Sequence, residues 1–404
     1  MKPTITVVGA GFSGLTTAYF LTKHDFKVRL VEKTERAGGL IKTIRTQHGL
    51  VETAANGLLN SALFENMCAD IGVPLIATRK KGRKRFIFRG KPKQVPLKVS
   101  DIGRMALRFG ISAASLRPRP FETIADWGRR VIGRGGTDYL LTPALGGIYA
   151  GDPEQLSASL IFGRAFLPDH LATNRPQKAK VRGTVAPPGG MQQLIDGLRN
   201  YLEQTGVEFQ FSHRSESAGT EAAVICLSAR GAADFVSKIA PDLGAALGQI
   251  EMLSLATVTC FYRPDATKLN GFGCLFPRDQ GFRARGVLFN DCIFEGRGPA
   301  HAETWIFGGA LDPSVVKLSM ADFADLIAAE RERFYGRKDE PLDSYVTRWP
   351  NALPHYSIEL EKILTALPAP PDSISLVGNY LGRIGLAKIL ERAAFVAESI
   401  GTAC

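Results

Sequence analysis

Residues 5–40 read ITVVGAGFSGLTTAYFLTKHDFKVRLVEKTERAGGL, and the order of residue types in this stretch decides the fold. Ile5 to Val8 is a short apolar run rich in β-branched residues, the pattern of a buried strand. Gly9, Gly11 and Gly14 follow as G-x-G-x-x-G. Thr16 to Leu21 continues as a helix, and Lys27 to Val31 makes a second strand that ends at Glu32. The first glycine permits a tight turn, the second lets backbone approach a pyrophosphate, and the third lets helix and strand pack closely. The helix N-terminus then offers unpaired N–H groups to phosphate, and Glu32 can accept hydrogen bonds from a ribose diol. Gly9, Ala10, Gly11, Phe12, Ser13, Gly14, Glu32 and Lys33 are therefore the expected dinucleotide contacts.

A second glycine pair stands just beyond, in Arg36-Ala37-Gly38-Gly39-Leu40. A simple nicotinamide site has no general need of it. A longer cofactor, with a ribityl chain and flavin running on past the first strand pair, needs bare backbone to lie against. Arg36 can offset phosphate charge. This favours FAD over NAD.

At 404 residues the chain can bury a sizeable core in two or three subdomains. Its 45% apolar and 22% charged content is that of an ordinary globular protein. No apolar run reaches the ~18–20 residues of a bilayer span, and the first strand starts at once, so a cytoplasmic protein is expected. The net charge of +11 suits an anionic partner: a membrane surface, an acidic substrate or, last of the three, nucleic acid. No nucleic-acid recognition signature accompanies it. The six cysteines form no C-x-x-C pair and the six histidines no H-x-x-x-H pair, which speaks against a zinc site or a disulfide framework.

Downstream, Ala54-Ala55-Asn56-Gly57 gathers small residues on which a flat ring can lie. Asn56 is either a hydrogen-bonding partner for flavin or substrate, or an ordinary turn residue. Residues 79–93, RKKGRKRFIFRGKPK, carry nine Lys or Arg. Arg85 to Arg89 reads as a strand, with Gly90 turning the chain toward a second one at Val95 to Leu97. The cluster suits a solvated face, an anionic lipid surface with a helix around 105–109, or a grip on a substrate carboxylate. Residues 121–170 read as mostly helical. Gly189-Gly190 opens a helix to about Gln204, followed by short strands at 207–211 and 222–226. Between 250 and 312 four strands alternate with turns, predicting an antiparallel sheet. A helix at 320–335 and a strand from Tyr345 to Trp349, ending at Pro350, come next. Finally Ile374 to Val377, Gly378-Asn379, then Ile384-Gly385-Leu386 and a helix repeat the strand–glycine turn–helix order. That helix N-terminus can stabilise negative charge on a reduced flavin.

These residues resemble the flavin amine oxidase superfamily, with the greatest similarity to its protoporphyrinogen oxidase branch. The stretches ALGGIYAGDPEQLSASLIF, PPGGMQQLIDGL, GFGCLFPRDQGFRARGVLFND, WIFGGALDP and TRWPNALPHY carry the resemblance and keep the family order. It implies an α/β chain: a Rossmann-type FAD-binding domain, a mixed α+β substrate domain with an antiparallel sheet, and an inserted helical, basic subdomain. The corresponding boundaries are 1–78, 186–245 and 346–404 for the FAD domain, 79–185 for the helical subdomain and 246–345 for the substrate sheet. It further implies non-covalent FAD, with Gly38, Gly39, Leu40, Ala54 to Gly57, Gly378, Asn379, Ile384, Gly385 and Leu386 as later contacts. Arg85 falls where the family grips a tetrapyrrole propionate, or else it is one more solvent-facing arginine. Phe272, Gly273 and Leu275 match the segment that sandwiches the macrocycle, with Asn56 beside it.

Three departures bear on the substrate. Ala54-Ala55 replaces Gly-Pro, Glu359-Leu360 stands where Gly-His is usual, and Ala387, Lys388 and Arg392 replace the usual residues after Gly385-Leu386. The expected reaction is hydride removal from carbon to flavin, in haem synthesis with a porphyrinogen as substrate. A related desaturase or amine oxidase acting on another metabolite is the alternative. A non-enzymatic binder of an anionic surface or nucleic acid, keeping a vestigial nucleotide fold, is the third reading. A carboxylated small molecule, an anionic membrane surface at the inner face, and a second copy of the chain are the expected partners.

Overall fold

The computed structural model describes residues 3–109, 116–163, 179–215, 222–382 and 384–403. The N-terminal strand Thr4–Val8 lies in the centre of a five-stranded parallel sheet, flanked by Lys27–Val31 and Ala223–Ile225, with Glu208–Gln210 and Ile374–Leu376 at the edges. Segments near the start, middle and end of the chain thus build one nucleotide-type sheet. The helix Phe12–Lys23 covers it, beside Met191–Gln204 and the final helix Leu386–Ala403. All strands but one are buried through their whole apolar register, as expected for a parallel sheet covered by helices.

The second layer is larger than four antiparallel strands. Its seven strands run Asp343–Pro354, Met252–Tyr262, His301–Gly308, Gly286–Phe289, Gly273–Leu275, Arg85–Phe88 and Pro92–Lys93. Two features differ from the sequence expectation. Arg85–Phe88, from the basic segment, pairs in parallel with Gly273–Leu275, so the sheet is mixed. Alternation explains the recruitment: Phe86 and Phe88 drop into the core beneath the sheet while Arg85 points the other way. The second basic strand is only Pro92–Lys93, because Arg89 turns to donate to the Pro96 carbonyl at 2.6 Å.

The other difference is Pro350, which does not end its strand. The strand Asp343–Pro354 forms the sheet edge, where a missing N–H breaks no ladder, and a register shift opposite Leu253/Leu255 with Asn351 at φ 52° absorbs the irregularity.

One sheet face is closed. Ala256, Val258, Cys260, Cys274, Val287, Trp305 and Phe307 pack there with Phe323, Ile327 and Phe334 of the helix Met320–Tyr335. The sheet's buried acid–base groups lie beneath that face too: His301 sits between Asp291 (2.9 Å) and Glu303 (3.1 Å), and Glu303 also takes Trp305, Tyr335 and Arg331. The opposite face carries Leu255, Thr257, Leu275, Leu288, Ile306 and Trp349, all only half-buried.

Between residues 116 and 163 the described helices are Ile124–Val131, Gly133–Gly136, a π-turn Thr137–Leu141, Thr142–Tyr149 and Ala158–Phe162. The expected helix around 105–109 is present as Val99–Phe109. Residues 173–185, basic and polar in sequence and expected as a surface loop, are described from 179 onward, and Thr184–Ala186 forms a short strand. No helix among them is long and apolar enough to cross a membrane.

Candidate active site

The glycine turn after the first strand is built as the sequence pattern requires. A Cβ on Gly14 would sit 1.7 Å from the Gly9 carbonyl oxygen, so only glycine lets the helix press onto the strand there. Gly11 is different. Its φ of −69° suits any residue, and a Cβ there would meet only the Gly39 Cα, at 3.9 Å. Gly11 is the N-cap of Phe12–Lys23 with no side-chain cap and no acidic residue in the first turn. The first helical N–H groups therefore point outward without an internal acceptor, which is the arrangement an anion takes.

Glu32 closes one side of this turn. One carboxylate oxygen accepts from the Ala10 N–H at 2.8 Å, and the other from the N–H and hydroxyl of Thr34 at 2.9 and 2.8 Å. A carboxylate has about four acceptor positions, so room remains for a ribose hydroxyl. Lys33 beside it is exposed. Arg36 is used otherwise than expected: its guanidinium donates to the carbonyls of Ala37 (3.0 Å), Ile41 (3.1 Å) and Gly39 (2.5 Å). It staples the second glycine turn rather than reaching out from it. That turn is pinned to the first by Gly38 N–H donating to Ala10 O at 2.7 Å and by a bridge between Gly11 and Gly38.

The C-terminal turn arrives at the same end of the parallel sheet. The helices Phe12–Lys23 and Leu386–Ala403 pack together, and the His24 ring lies against Gly401. At about 1.5 Å rise per residue, His24 and Gly401 mark matching far ends. Both helices therefore begin at one end, with Gly11 and Gly385 there. Gly385 has φ +90°, is exposed, and caps the helix by accepting from Lys388 and Ile389 N–H at 3.0 and 3.1 Å. Ile384 and Leu386 brace the turn by packing on the two neighbouring core clusters. Gly378 accommodates the Tyr380 ring, and the Asn379 carbonyl accepts from the Tyr356 hydroxyl.

Residues 54–57 join this end of the sheet to the second layer. The Thr53 carbonyl accepts from Trp349 Nε1 at 2.6 Å, and Thr53 Oγ1 donates to Leu40 O at 2.9 Å. Ala54 is exposed, Ala55 and Asn56 are half-buried, and Gly57 lies against Val185 O and the Phe294 ring. The half-buried sheet face is thus bounded by three links to the nucleotide layer. Trp349 reaches Thr53, Tyr356 reaches Asn379, and Phe272 with Leu288 packs on the nucleotide-domain core.

The substrate-side residues meet as expected in part. Arg85 and Gly273 are register partners, and the Arg85 guanidinium lies 4.6 Å from the Phe272 ring centre. Leu275 follows on the same face and touches Gly147 of the helix Thr142–Tyr149. Asn56 is at the other end of the face, in the loop that Trp349 holds. Cys274 points away into the core, where burial pushes its thiol pKa up, so it is a packing residue. The sequence reading passed over Thr53, Trp349, Tyr356 and Arg285. The stretch TRWPNALPHY drew attention only as a resemblance, and a buried N–H partner 296 residues away leaves no local signal.

A flavin dinucleotide fits this cradle. The helix N-terminus is free of side-chain acceptors, Gly39 and Gly385 are exposed, and Leu40, next to Gly39, is 42% exposed, an apolar side chain left for a ligand to cover. Comparison with known proteins agrees. Residues 7–70 match the NAD(P)-binding Rossmann-like domain family. The chloroplastic protoporphyrinogen oxidase of Nicotiana tabacum is 25% identical, over 98% of this chain and 84% of that one. The coproporphyrinogen III oxidase of Bacillus subtilis (strain 168) is 21% identical, over 97% and 96%. The crystal structure of a candidate protoporphyrinogen oxidase from Exiguobacterium sp. 255-15 superposes with a TM-score of 0.80 at 19% identity, covering both chains fully. Fold and cradle together define an FAD-dependent oxidoreductase built on a Rossmann-type nucleotide domain. More narrowly, the chain is similar along nearly its whole length to protoporphyrinogen oxidases.

Proposed function

We propose that the protein oxidises a porphyrinogen, a reduced tetrapyrrole bearing carboxylate arms, in haem biosynthesis. The observation that carries this reading is the half-buried apolar sheet face. It is bounded by both glycine turns and edged by Arg85. A flat, largely apolar ring with anionic arms is the ligand such a surface accommodates.

FAD, when bound, supplies the redox chemistry by accepting hydride from a carbon of the substrate. The chain's own residues orient and exclude. Gly11 to Gly14 hold the pyrophosphate through backbone N–H groups, and Glu32 holds a ribose. Leu275, Leu288 and Ile306 give the ring an apolar bed, with Trp349 fixing its far edge against Thr53. Arg85, backed by the Phe272 ring, receives a carboxylate in paired hydrogen bonds. His301 and Glu303 are buried on the closed side of the sheet and bond to each other, and His301 also bonds to the half-buried Asp291, away from the open face that receives the ring.

Arg85→Ala should raise KM for a carboxylated porphyrinogen roughly 10–100-fold, the worth of a charge-assisted hydrogen bond, and leave flavin content unchanged. Steady-state kinetics with a flavin titre check this. An unaltered KM would take Arg85 out of the site.

The basic segment supports a peripheral membrane contact. Val95, Val99 and Ile102 are 65%, 86% and 45% exposed beside the cluster at 79–93, while Met105 turns inward against Ile132 and Gly136. Apolar tips flanked by lysines and arginines suit an anionic bilayer surface. Vesicles with an anionic lipid should co-sediment the protein and lose it on Val99→Asp with Ile102→Asp. Equal binding to neutral vesicles would contradict the contact.

A further inference from the structure

Among the described residues, Arg285 combines a buried, unpartnered Nη2 with the lack of any carboxylate in salt-bridge reach. It lies in the bend just before Gly286–Phe289, at the edge of the half-buried face. Its Nε donates to Gly308 O, and its Nη1 reaches Gly146 O of the helix Thr142–Tyr149 at 3.4 Å, a long and weak bond. Nη2 is sealed from solvent and has no partner. Among the described residues no carboxylate pairs with it: Arg278 takes Asp152 and Arg283 takes Asp312. The turn around it is shaped to let the guanidinium in. Gly308 and Gly309 have φ of +95° and +82°, Ala150 stands at φ +51°, and a Cβ on Gly309 would come within 2.6 Å of Nη2.

A buried guanidinium without a counter-charge is costly, because desolvation is not offset by a partner. Burial, with Arg278 nearby, brings the Arg285 pKa down to about 10, which still leaves it charged at neutral pH. The fold keeps this charge in place with two backbone carbonyls and leaves one fork of donors unmatched. Clamping Gly308 to Gly146 accounts for Nε and Nη1 and does nothing for Nη2.

We infer that Arg285 is a second carboxylate-binding residue of the substrate site, which receives one arm of a substrate whose other carboxylate arm is held by Arg85. A carboxylate taking Nη1 from the Gly146 carbonyl would meet Nη1 and Nη2 together, the bidentate geometry that arginine favours. Arg85 and Arg285 are suitably spaced. Arg85 is opposite Gly273, Gly273 is opposite Leu288, and Arg285 is three residues before Leu288. At about 4.8 Å between strands and about 3.3 Å per residue, their backbones are roughly 14 Å apart. Leu275, on the face of Arg85, touches Gly147, the residue after the Gly146 whose carbonyl Arg285 reaches. One arginine is exposed at the mouth and the other is recessed, so the two arms would be read in different depths.

The inference rests on the porphyrinogen reading, and the test separates the two. Holoenzyme is assayed with protoporphyrinogen as the free diacid and as its dimethyl ester, comparing wild type, Arg85→Ala, Arg285→Met and Arg285→Lys. A wild type that turns over neither compound overturns the parent reading. Given turnover, Arg285→Met should raise KM for the diacid by roughly tenfold or more, leave KM for the ester within about twofold, and keep the flavin titre. Arg285→Lys, which keeps the charge but not the fork, should raise the diacid KM less. If Arg285→Met yields no holoprotein, Arg285→Lys decides alone. A diacid-over-ester preference unchanged in the folded variants overturns the inference, as does an equal rise in KM for both compounds.

Discussion

Gly11→Val should give a folded protein without flavin. The extended φ of −69° at Gly11 and the open space around it mean that a side chain there strains nothing. The valine would instead occupy the place where backbone N–H groups meet the pyrophosphate. Losing two charge-assisted hydrogen bonds, each worth ~1.5–3 kcal/mol, lowers FAD affinity on the order of 10²–10⁴-fold. The thermal transition of the apoprotein should stay near that of wild-type apoprotein, and the purified variant should be colourless. Gly14→Val provides the contrast. Its Cβ would fall 1.7 Å from Gly9 O, so the helix must leave the strand and the fold itself is lost. If Gly11→Val retained stoichiometric flavin, the glycine turn would not be the phosphate site.

The second large effect concerns the joint between the two layers. Glu52 and Arg297 form an ion pair at 2.9 Å with side-chain exposures of 3% and 4%. Glu52 also accepts from Met191 N–H at 3.0 Å and Thr43 Oγ1 at 2.8 Å, at the start of the helix Met191–Gln204. Burial pushes the Glu52 pKa up against the pull of Arg297, and burial brings the Arg297 pKa down against the pull of Glu52. Each charge is tolerated only because the other is present. Glu52→Gln should therefore cost about 3–5 kcal/mol in stability, and Arg297→Met alone a similar amount, while the pair Glu52→Gln with Arg297→Met should recover most of the loss. Thermal denaturation of the three variants reads this. Additive losses in the double variant would mean that the two side chains act independently.

The glycine turns and Glu32 were legible in the sequence because each is a local pattern with a local cause. The strands Thr4–Val8 and Lys27–Val31 and the helix Met191–Gln204 came from the same periodicities, while the first helix spans Phe12–Lys23, beyond the expected Thr16 to Leu21 at both ends. The parallel pairing of Arg85–Phe88 with Gly273–Leu275 was not legible, since register between segments 188 residues apart is set by which side chains the core accepts. The strand through Pro350 read as ended because a proline forbids an interior position, and nothing in the sequence marks an edge. Arg36 read as a phosphate partner and proves to be a staple for Gly39 and Ile41, as its short reach to the nearest carbonyls dictates. Arg285 read as one cation among fifty Lys and Arg. Only burial without a partner distinguishes it, and burial is a property of the fold. The three departures near Ala54, Glu359 and Ala387 are compatible with the cradle: Ala54 is exposed, and Leu360 packs in the core beside Tyr356.

Two glycine turns from opposite ends of the chain should enclose one flavin that faces the apolar sheet. Anaerobic addition of protoporphyrinogen to the yellow holoprotein tests this most directly. The visible flavin absorbance should bleach on the first turnover, with porphyrin fluorescence rising in proportion and colour returning on admission of air. A stoichiometric flavin spectrum that the porphyrinogen leaves untouched would contradict the assigned substrate, and a protein that takes up no flavin at all would contradict the site itself.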